Sequence, residues 1–295
     1  MSLRGRQRII VIVLLAAALT LGLALTLERD RPVLTAADLD RWDGSGLEVR
    51  FFDVGQADSI LVRCGGEIML VDGGRREDGP ALLSALQELG VDRLDWAVCT
   101  HAHSDHAGGL SYLISRLPAE RAAVPYTQSD NIWFNDFLAV AAESGTVRTL
   151  TAGDGFALGE ASVQVLGPLR EYEDLNDSSL VLRVVYGDTA ILLTGDATWV
   201  AERDLAESGR ELASDLLKAG HHGANGSTSY LFLREVDPEW AVISVGADNE
   251  YGHPGEYTLS RLADAGVKVL RTDELGTIVC RSDGRRLTLY GSREP

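Results

Sequence analysis

From residue 47 onward, short apolar runs alternate with amphipathic segments of helical length. Apolar runs of about four to eight residues between turn residues predict strands, and apolar positions that recur every three or four residues predict helices. Strands are predicted at LEVRFFDV (47–54), SILVRC (59–64), EIMLVDGG (67–74), LDWAVCT (94–100), SLVLRVVYG (179–187), TAILLTGD (189–196), WAVISVG (240–246), VKVLRT (267–272), GTIVCR (276–281) and RLTLYG (286–291). Helices are predicted at 79–90, at 107–117 before Pro118, and near 199–209, 228–236 and 257–265.

A short turn in the second half indicates that two of these strands pair directly. The strands on either side of Gly187-Asp188 are joined by a connection typical of a β-hairpin. Together with three successive strands near residue 47, this predicts an α/β fold with many antiparallel pairs. We expect residues 47–292 to form one domain, with 32–46 as a linker before it.

The first 31 residues have a different pattern, in which basic residues precede a long apolar run. Arg4, Arg6 and Arg8 come before Ile9–Leu27, which contains no charged residue. A helix of about 19 residues spans roughly 28 Å, close to the hydrocarbon thickness of a membrane. Because basic flanks stay in the cytoplasm, we expect a single-pass anchor in the cytoplasmic membrane with the following domain outside. The alternatives are a cleaved signal segment, which would give a secreted protein, and a buried helix.

The composition and net charge of the chain limit the classes of molecule that it is expected to bind. The chain is 45% hydrophobic and 24% charged, which is ordinary for a globular protein with a sizeable core. Its net charge of −17 argues against broad, nonspecific nucleic-acid binding, which relies on a basic surface. A phosphodiester or nucleotide at a metal site is still compatible with this acidity, because bound cations outweigh the local negative charge. No organic cofactor is expected, since GANGSTS (223–229) lacks the lysine of a phosphate-binding loop.

Three of the six histidines lie within six positions, in THAHSDHAGG. Side chains alternate in an extended segment, so His101 and His103 point the same way and can share a metal ion. Asp105 and His106 lie at the next bend, where they can turn toward a second ion. Imidazole and carboxylate ligands suit Zn²⁺, Mn²⁺ or Fe. The cluster therefore predicts a centre for two divalent metal ions, with Zn²⁺ expected first and Mn²⁺ or Fe as alternatives.

The remaining histidines fit the same centre. His221 and His222 lie in LLKAGHHGANGSTS, after an apolar run and before a glycine-rich turn, and His253 lies in a turn with glycine and proline. The apolar strand between these clusters ends in Asp196, and a carboxylate beside a glycine at the end of a strand can bridge two cations. All six histidines thus follow strands, where binding sites gather.

The motifs together resemble a known family. THAHSDHAGG resembles the HxHxDH signature of the metallo-β-lactamase fold, and the whole set resembles the hydrolase domain of the competence protein ComEC family. That set is THAHSDHAGG, FFDVGQADSILV, MLVDGG, NDSSLVLRV, ILLTGD, LKAGHHGANGSTS and YGHP. The resemblance covers roughly residues 47–290 and implies an αββα sandwich with a dinuclear metal site along one edge of the two sheets. In that family the domain is associated with DNA uptake and proposed to be a nuclease. This chain has one apolar run in place of the many-spanning channel, so direct DNA transport is not expected.

The resemblance implies a role for each residue of the histidine motif. His101 and His103 match ligands of the first metal ion. Asp105 and His106 match ligands of the second ion. Asp196 matches the carboxylate that bridges the two.

The later motifs complete the implied ligand set. The family places a late histidine on the second ion, and HHG is the match, with His222 preferred as the ligand and His221 close to the substrate. Many members of the superfamily carry a further histidine on the first ion. LNDSSLV stands in that place here, so Asp177 or Asn176 is expected to coordinate weakly or through water, with Asn176 also near the substrate.

Three more residues match positions around the implied centre. Asp72 matches a residue that steadies the histidine loop by hydrogen bonding, and an ordinary turn aspartate is the alternative. Asp58 either braces the site within a turn or contacts the substrate. His253 either contacts a substrate phosphate or packs within its loop.

These residues predict a reaction class. Two metal ions about 3.5–4 Å apart lower the pKa of bound water toward ~7 and polarise the electrophile, so hydrolysis by a metal-bound hydroxide is expected. Asp105 or Asp196 would orient the water and accept its proton. The leading expectation is a phosphodiesterase or nuclease. The alternatives are a cell-envelope phosphocholine esterase or lactonase, and a metal-binding partner of an uptake system without turnover.

Overall fold

The computed structural model describes residues 42–126 and 128–293, in which runs of strands are interspersed with helices. The strands are β1 (Leu47–Phe51), β2 (Ile60–Cys64), β3 (Glu67–Val71), β4 (Leu94–Val98), β5 (Ala119–Val124), β6 (Thr146–Thr149), β7 (Gly155–Leu158), β8 (Ala161–Gly167), β9 (Val181–Tyr186), β10 (Thr189–Leu193), β11 (Leu216–Lys218), β12 (Trp240–Ile243), β13 (Lys268–Arg271), β14 (Ile278–Ser282) and β15 (Leu287–Gly291). The helices are α1 (Gly79–Glu88), α2 (Ser104–Ala107), α3 (Leu110–Ile114), α4 (Ile132–Ser144), α5 (Trp199–Glu207), α6 (Tyr230–Val236), α7 (Glu256–Asp264) and α8 (Thr272–Leu275). Short 3₁₀ turns cover Arg76–Asp78 and Gly220–Gly223.

The strands form two mixed sheets. The first has the order β15-β14-β1-β2-β3-β4-β5-β6, and the second has the order β13-β12-β11-β10-β9-β8-β7. Strands β3 to β6 are parallel in the first sheet, and β10 to β13 are parallel in the second. The loops at the carboxyl ends of such parallel strands are the usual place for a binding site.

Three apolar cores hold the layers together. Between the sheets, Phe51 and Trp96 of the first sheet are buried together with Leu182 of the second. A second core lies between the first sheet and α1, α3 and α4, and a third lies between the second sheet and α5, α6 and α7. Both faces of the central strands are therefore buried, which explains their continuous apolar runs. The αββα sandwich predicted from the sequence is confirmed.

The local predictions differ in accuracy along the chain. The hairpin is confirmed, because Tyr186 of β9 pairs with Thr189 of β10 in antiparallel register. The helix predicted at 107–117 is present but shorter, since α3 covers Leu110–Ile114 and Gly108-Gly109 separate it from the additional helical turn α2. The elements from β5 to β8 were not predicted. Within that stretch, Asn131 is a helix-start signal, because its side chain accepts hydrogen bonds from Trp133 and Phe134 at the start of α4.

The glycines between α2 and α3 allow a close approach to the turn after β3. A Cβ atom on Gly109 would lie 2.1 Å from the carbonyl oxygen of Gly73, and one on Gly73 would lie 2.7 Å from the backbone nitrogen of Leu110. The two glycine pairs in VDGG and HAGG therefore let the β3 turn and the histidine segment approach backbone to backbone.

The three cysteines are free and buried. Cys64 and Cys280 lie in the core between the sheets, and Cys99 lies in the core beneath the helices of the first sheet. Burial raises the pKa of each of these thiols, so they behave as small apolar side chains.

The predicted anchor or signal segment, residues 1–31, lies outside the described residues, and its assignment stays a prediction. Among residues 42–126 and 128–293, no helix combines the length and the apolar character needed to cross a membrane.

The sandwich core makes a testable contribution to stability. Leu182 is fully buried between the sheets, whereas Ile132 on the helical surface is 62% exposed. We expect Leu182→Ala to lower the free energy of unfolding by about 2–5 kcal/mol, because it leaves a cavity. Ile132→Ala should change it by no more than about 0.5 kcal/mol. Chemical denaturation of both variants measures the difference, and equal losses would contradict the assignment of this core.

Candidate metal centre

The carboxyl ends of parallel strands from both sheets bring the predicted residues to one edge of the sandwich. Asp72 follows β3 and His101 follows β4 in the first sheet. Asp196 follows β10 in the second sheet, and His222 follows β11. Residues separated by more than a hundred positions in sequence thereby reach one place.

The histidine motif has two conformations in succession. His101 Nε2 lies 3.0 Å from His103 Nδ1, as expected for side chains that point the same way from an extended segment. Asp105 and His106 were expected at a bend in a loop, but they lie in the helical turn α2, which begins directly after His103. The tight approach of the glycine pairs fixes that turn beside the β3 loop.

Four side chains form the largest group of candidate metal ligands among the described residues. One nitrogen or oxygen from each of Asp105, His106, Asp196 and His222 lies within 4.8 Å of the others. Asp196 Oδ2 lies 3.2 Å from His106 Nε2 and 3.5 Å from His222 Nε2. Asp105 Oδ2 lies 3.3 Å from His222 Nε2.

Orphaned atoms in this group show that it fits a metal ion. His106 Nε2, His222 Nε2 and Asp196 Oδ1 are buried without a hydrogen-bond partner among the described residues. Leaving such atoms unsatisfied costs about 1–3 kcal/mol each. A divalent metal ion would satisfy them, and a set of two imidazoles and two carboxylates suits Zn²⁺, Mn²⁺ or Fe²⁺.

Two more histidines flank Asp196. Its Oδ2 atom lies 4.0 Å from His101 Nε2 and 3.9 Å from His221 Nε2. The His101 side chain is fully buried, whereas the His221 side chain is 32% exposed and lies at the rim. The Asp196 carboxylate therefore lies among four histidine side chains, those of His101, His106, His221 and His222. His222 belongs to the group of four side chains and His221 does not, and the preference for His222 as the ligand stays a prediction.

Backbone strain is concentrated at this edge. Asp72, His221 and His222 have φ angles of 59°, 49° and 53°, in the left-handed region that side chains other than glycine seldom adopt. Such conformations cost of order 1–3 kcal/mol and persist where packing holds them, often at functional sites.

Asp72 holds the histidine loop by hydrogen bonding. Its Oδ2 atom lies 2.8 Å from His106 Nδ1 and accepts a hydrogen bond of 2.8 Å from the Thr100 hydroxyl. Its Oδ1 atom accepts a second bond from the Thr100 backbone N–H. Fixing Nδ1 of His106 in this way directs Nε2 of the same ring toward Asp196.

Asp58 lies behind the group rather than at its surface. It is fully buried, and its oxygens lie 3.7 Å from His106 Nδ1 and 3.8 Å from His222 Nδ1. Its closest partner is Lys218, whose Nζ atom is 2.5 Å from Asp58 Oδ2. Lys218 was not predicted as part of the site. The available signal was its position, a charged residue ending the apolar strand β11 directly before AGHHG.

The remaining three predicted residues make other contacts. Asp177 Oδ1 accepts hydrogen bonds from the backbone and hydroxyl of Thr198 and so holds the start of α5. Asn176 Oδ1 is buried without a hydrogen-bond partner and lines a groove beside His221. His253 Nδ1 lies 3.1 Å from Gln56 Nε2, and its ring contacts that of His221 edge to face. Their predicted roles in metal or substrate binding stay predictions.

The charges of the group stabilise one another. Burial alone would lower the pKa of His106, but Asp196, Asp72 and Asp105 outweigh it and raise that pKa well above its usual value. Burial would likewise raise the pKa of Asp196, but His106 and His222 hold it well below its usual range. At the rim, burial and the neighbouring His221 lower the pKa of His253 to about 4.

Comparison with known proteins adds sequence relatives. Residues 52–246 match the family described as the Metallo-beta-lactamase superfamily. The chain is 31% identical to "ComE operon protein 3" of Bacillus subtilis (strain 168) over 81% of this chain and 33% of that protein. It is 35% identical to "Competence protein ComA" of Neisseria gonorrhoeae over 78% of this chain and 31% of that protein. The chain therefore spans about a third of the length of these curated relatives.

A solved structure shares the fold at low sequence identity. The diiron beta-hydroxylase CmlA from Streptomyces venezuelae matches 81% of this chain and 54% of its own, with a TM-score of 0.54 and 17% identity. At that identity the likeness concerns the fold alone.

The site makes a graded prediction about metal affinity. We expect Asp72→Asn to weaken binding of Zn²⁺ or Mn²⁺ by ~10–100-fold, because it loosens a ligand without removing one. His106→Ala should weaken it further, because it removes a ligand. Asp177→Asn is the matched control, since its amide oxygen can still accept the bonds from Thr198. Metal titration followed by calorimetry gives the affinities. A loss of affinity in Asp177→Asn would instead make Asp177 a ligand.

Proposed function

Because the chain belongs to the metallo-beta-lactamase superfamily, we propose that it is a metal-dependent hydrolase whose substrates are phosphodiesters, with nucleic acid as the leading class. The observation that carries the proposal is the group of Asp105, His106, Asp196 and His222, with its buried, unsatisfied nitrogen and oxygen atoms. We propose two divalent ions, with Zn²⁺ first and Mn²⁺ or Fe²⁺ as alternatives.

The residues of the group divide the chemistry between them. Divalent ions bound here would activate water as a nucleophile at neutral pH and stabilise negative charge on the substrate. Asp105 is the carboxylate of the group that solvent reaches, with a side chain that is 25% exposed, whereas the Asp196 side chain is 2% exposed. This exposure supports Asp105 as the group that accepts the proton of an attacking water. The position of His221 at the rim supports a role in contacting the substrate.

Adjoining grooves flank the centre and offer room for a substrate. A groove of about 670 Å³ is lined by His103 and the amide side chains of Gln128 and Asn131. A groove of about 720 Å³ is lined by His221 and Trp199. A third, of about 570 Å³, shares lining residues with both. These volumes are typical of small-molecule sites and suit a few nucleotides better than a long duplex.

The surroundings support a short or single-stranded nucleic acid. Trp199 is 60% exposed beside His221, and an exposed indole can stack on a base of any sequence. Arg210 lines the third groove, the one of about 570 Å³, where its guanidinium can pair with a phosphate. The net charge of −17 disfavours a long polyanion. One of the two relatives is named as a competence protein, which supports a substrate met during DNA uptake.

One observation favours a second candidate, a phosphocholine ester. Glu171, Glu173 and Asp174 line the groove that contains Trp199. Acidic side chains around an exposed indole suit a quaternary ammonium group.

An assay panel tests these candidates. We expect the metal-loaded chain to hydrolyse bis(p-nitrophenyl) phosphate and single-stranded DNA faster than a phosphocholine ester or a lactone. Asp105→Ala should lower kcat by about 10²–10⁴-fold on the phosphodiesters while the circular dichroism spectrum is unchanged. Asp188→Asn, at the exposed hairpin turn, is the control and should keep full activity. Metal loading without turnover on any substrate would favour a binding partner over an enzyme.

We further propose that residues 9–27 anchor the protein in the cytoplasmic membrane with the hydrolase domain outside. The support is the order of the sequence, with Arg4, Arg6 and Arg8 before the apolar run. Protease treatment of intact spheroplasts should remove an epitope placed after Pro295. Protection of that epitope until lysis would reverse the orientation, and mass spectrometry of the mature N-terminus distinguishes an anchor from a cleaved signal.

A further inference from the structure

Lys218 has an environment that few lysines have. Its side chain is fully buried at the end of β11, at the same edge as the histidines. Its Nζ atom lies 2.5 Å from Asp58 Oδ2, donates a hydrogen bond of 2.9 Å to the carbonyl oxygen of Gly195, and lies 3.7 Å from Asp196 Oδ1.

All three of these neighbours are oxygen atoms. Two carboxylates and a carbonyl are the ligands that hard cations such as Ca²⁺, Mg²⁺ and Mn²⁺ prefer, in contrast to the nitrogen-rich group around His106 and His222. The contact of Nζ with Asp58, at 2.5 Å, falls within the ~2.3–2.6 Å of calcium–oxygen bonds, whereas the 2.9 Å contact with the Gly195 carbonyl has the length of an ordinary hydrogen bond. In addition, Asp58 Oδ1 is buried without a hydrogen-bond partner among the described residues, so this carboxylate has capacity for another interaction.

We propose that the Lys218 ammonium fills a cation site lined by oxygen atoms beside the histidine group. Without the lysine, this site would bind a hard divalent ion. The ammonium neutralises Asp58 and lies 3.7 Å from one oxygen of Asp196, too far for a hydrogen bond, while the other oxygen of Asp196 faces His106 and His222. The proposal rests on these contacts and goes beyond the proposed hydrolysis, which it neither requires nor establishes.

A covalently attached cation has a specific physical effect here. Asp58, Asp72 and Asp196 are buried close together, and buried carboxylates need a compensating charge. Chelation or dilution removes a metal ion but not Lys218. The lysine therefore keeps Asp58 paired when the histidine group loses its metal, and it directs incoming ions to the histidine group alone.

Removing the ammonium while leaving space should convert the place into a metal site. Lys218→Ala removes the charge and makes room for an ion and its water. Lys218→Met removes the charge but fills much of the room with an apolar chain. Asp58→Asn/Lys218→Ala makes the same room but lacks the carboxylate that would bind the ion.

The experiment compares Ca²⁺ binding by chelator-treated full-length chains, because Ca²⁺ is a poor partner for the histidine group. We expect Lys218→Ala to bind about one more Ca²⁺ per chain than the unsubstituted protein in equilibrium dialysis. At ~100-fold excess over Kd, Ca²⁺ should raise its thermal midpoint by roughly 5–10 °C. Neither Lys218→Met nor the double variant should show the added ion or the shift.

Each outcome decides the proposal. If Lys218→Ala refolds from denaturant only with Ca²⁺ present, while the double variant refolds without it, the proposal is supported. Failure of Lys218→Ala to bind or refold in either condition overturns it, as does equal Ca²⁺ binding by Lys218→Met. If the unsubstituted chain binds no transition metal and hydrolyses nothing but Lys218→Ala acquires Ca²⁺, the proposed function fails and this inference stands.

Discussion

The edge of the sandwich is organised by the need to neutralise buried carboxylates. Asp58, Asp72 and Asp196 are each exposed by no more than 1%, and an ionised carboxylate in such surroundings is unstable without an opposite charge. His106 Nδ1 lies 2.8 Å from Asp72 Oδ2, and the Lys218 ammonium pairs with Asp58. The nitrogen and oxygen atoms that have no hydrogen-bond partner face one another, and these unused ligand atoms make the group suited to a metal ion.

The packing of the two sheets stabilises this concentration of buried charge. Strands β4 and β10 are buried along their full length, so the loops that follow them start from fixed points. The glycine pairs then bring the β3 turn and the histidine segment together, and the left-handed backbone at His221 and His222 turns the second histidine inward. Rigid packing behind the site thus offsets both the strain of the loops and the repulsion of the carboxylates.

The parts that could be predicted from sequence are those with a strong local pattern. Continuous apolar runs revealed the central strands, the Gly187-Asp188 turn revealed the hairpin, and the spacing of the histidine motif revealed a metal-binding chemistry. Edge strands such as β6 and β7 escaped because they are short and half-exposed, which leaves little periodicity. Lys218 escaped because a lysine is normally at the surface, and only the tertiary arrangement shows that it pairs with Asp58 from a distant strand end.

The reactivity of the three buried cysteine thiols depends on opening of the fold. A thiol reacts as its thiolate, and Cys64, Cys99 and Cys280 are held protonated and away from solvent. The folded chain would accordingly be indifferent to the redox potential of its compartment. A thiol-specific reagent would label it only as fast as the layers separate. Since Cys99 lies beneath the helices and the other two lie between the sheets, their labelling rates would distinguish loss of the helical layer from separation of the sheets.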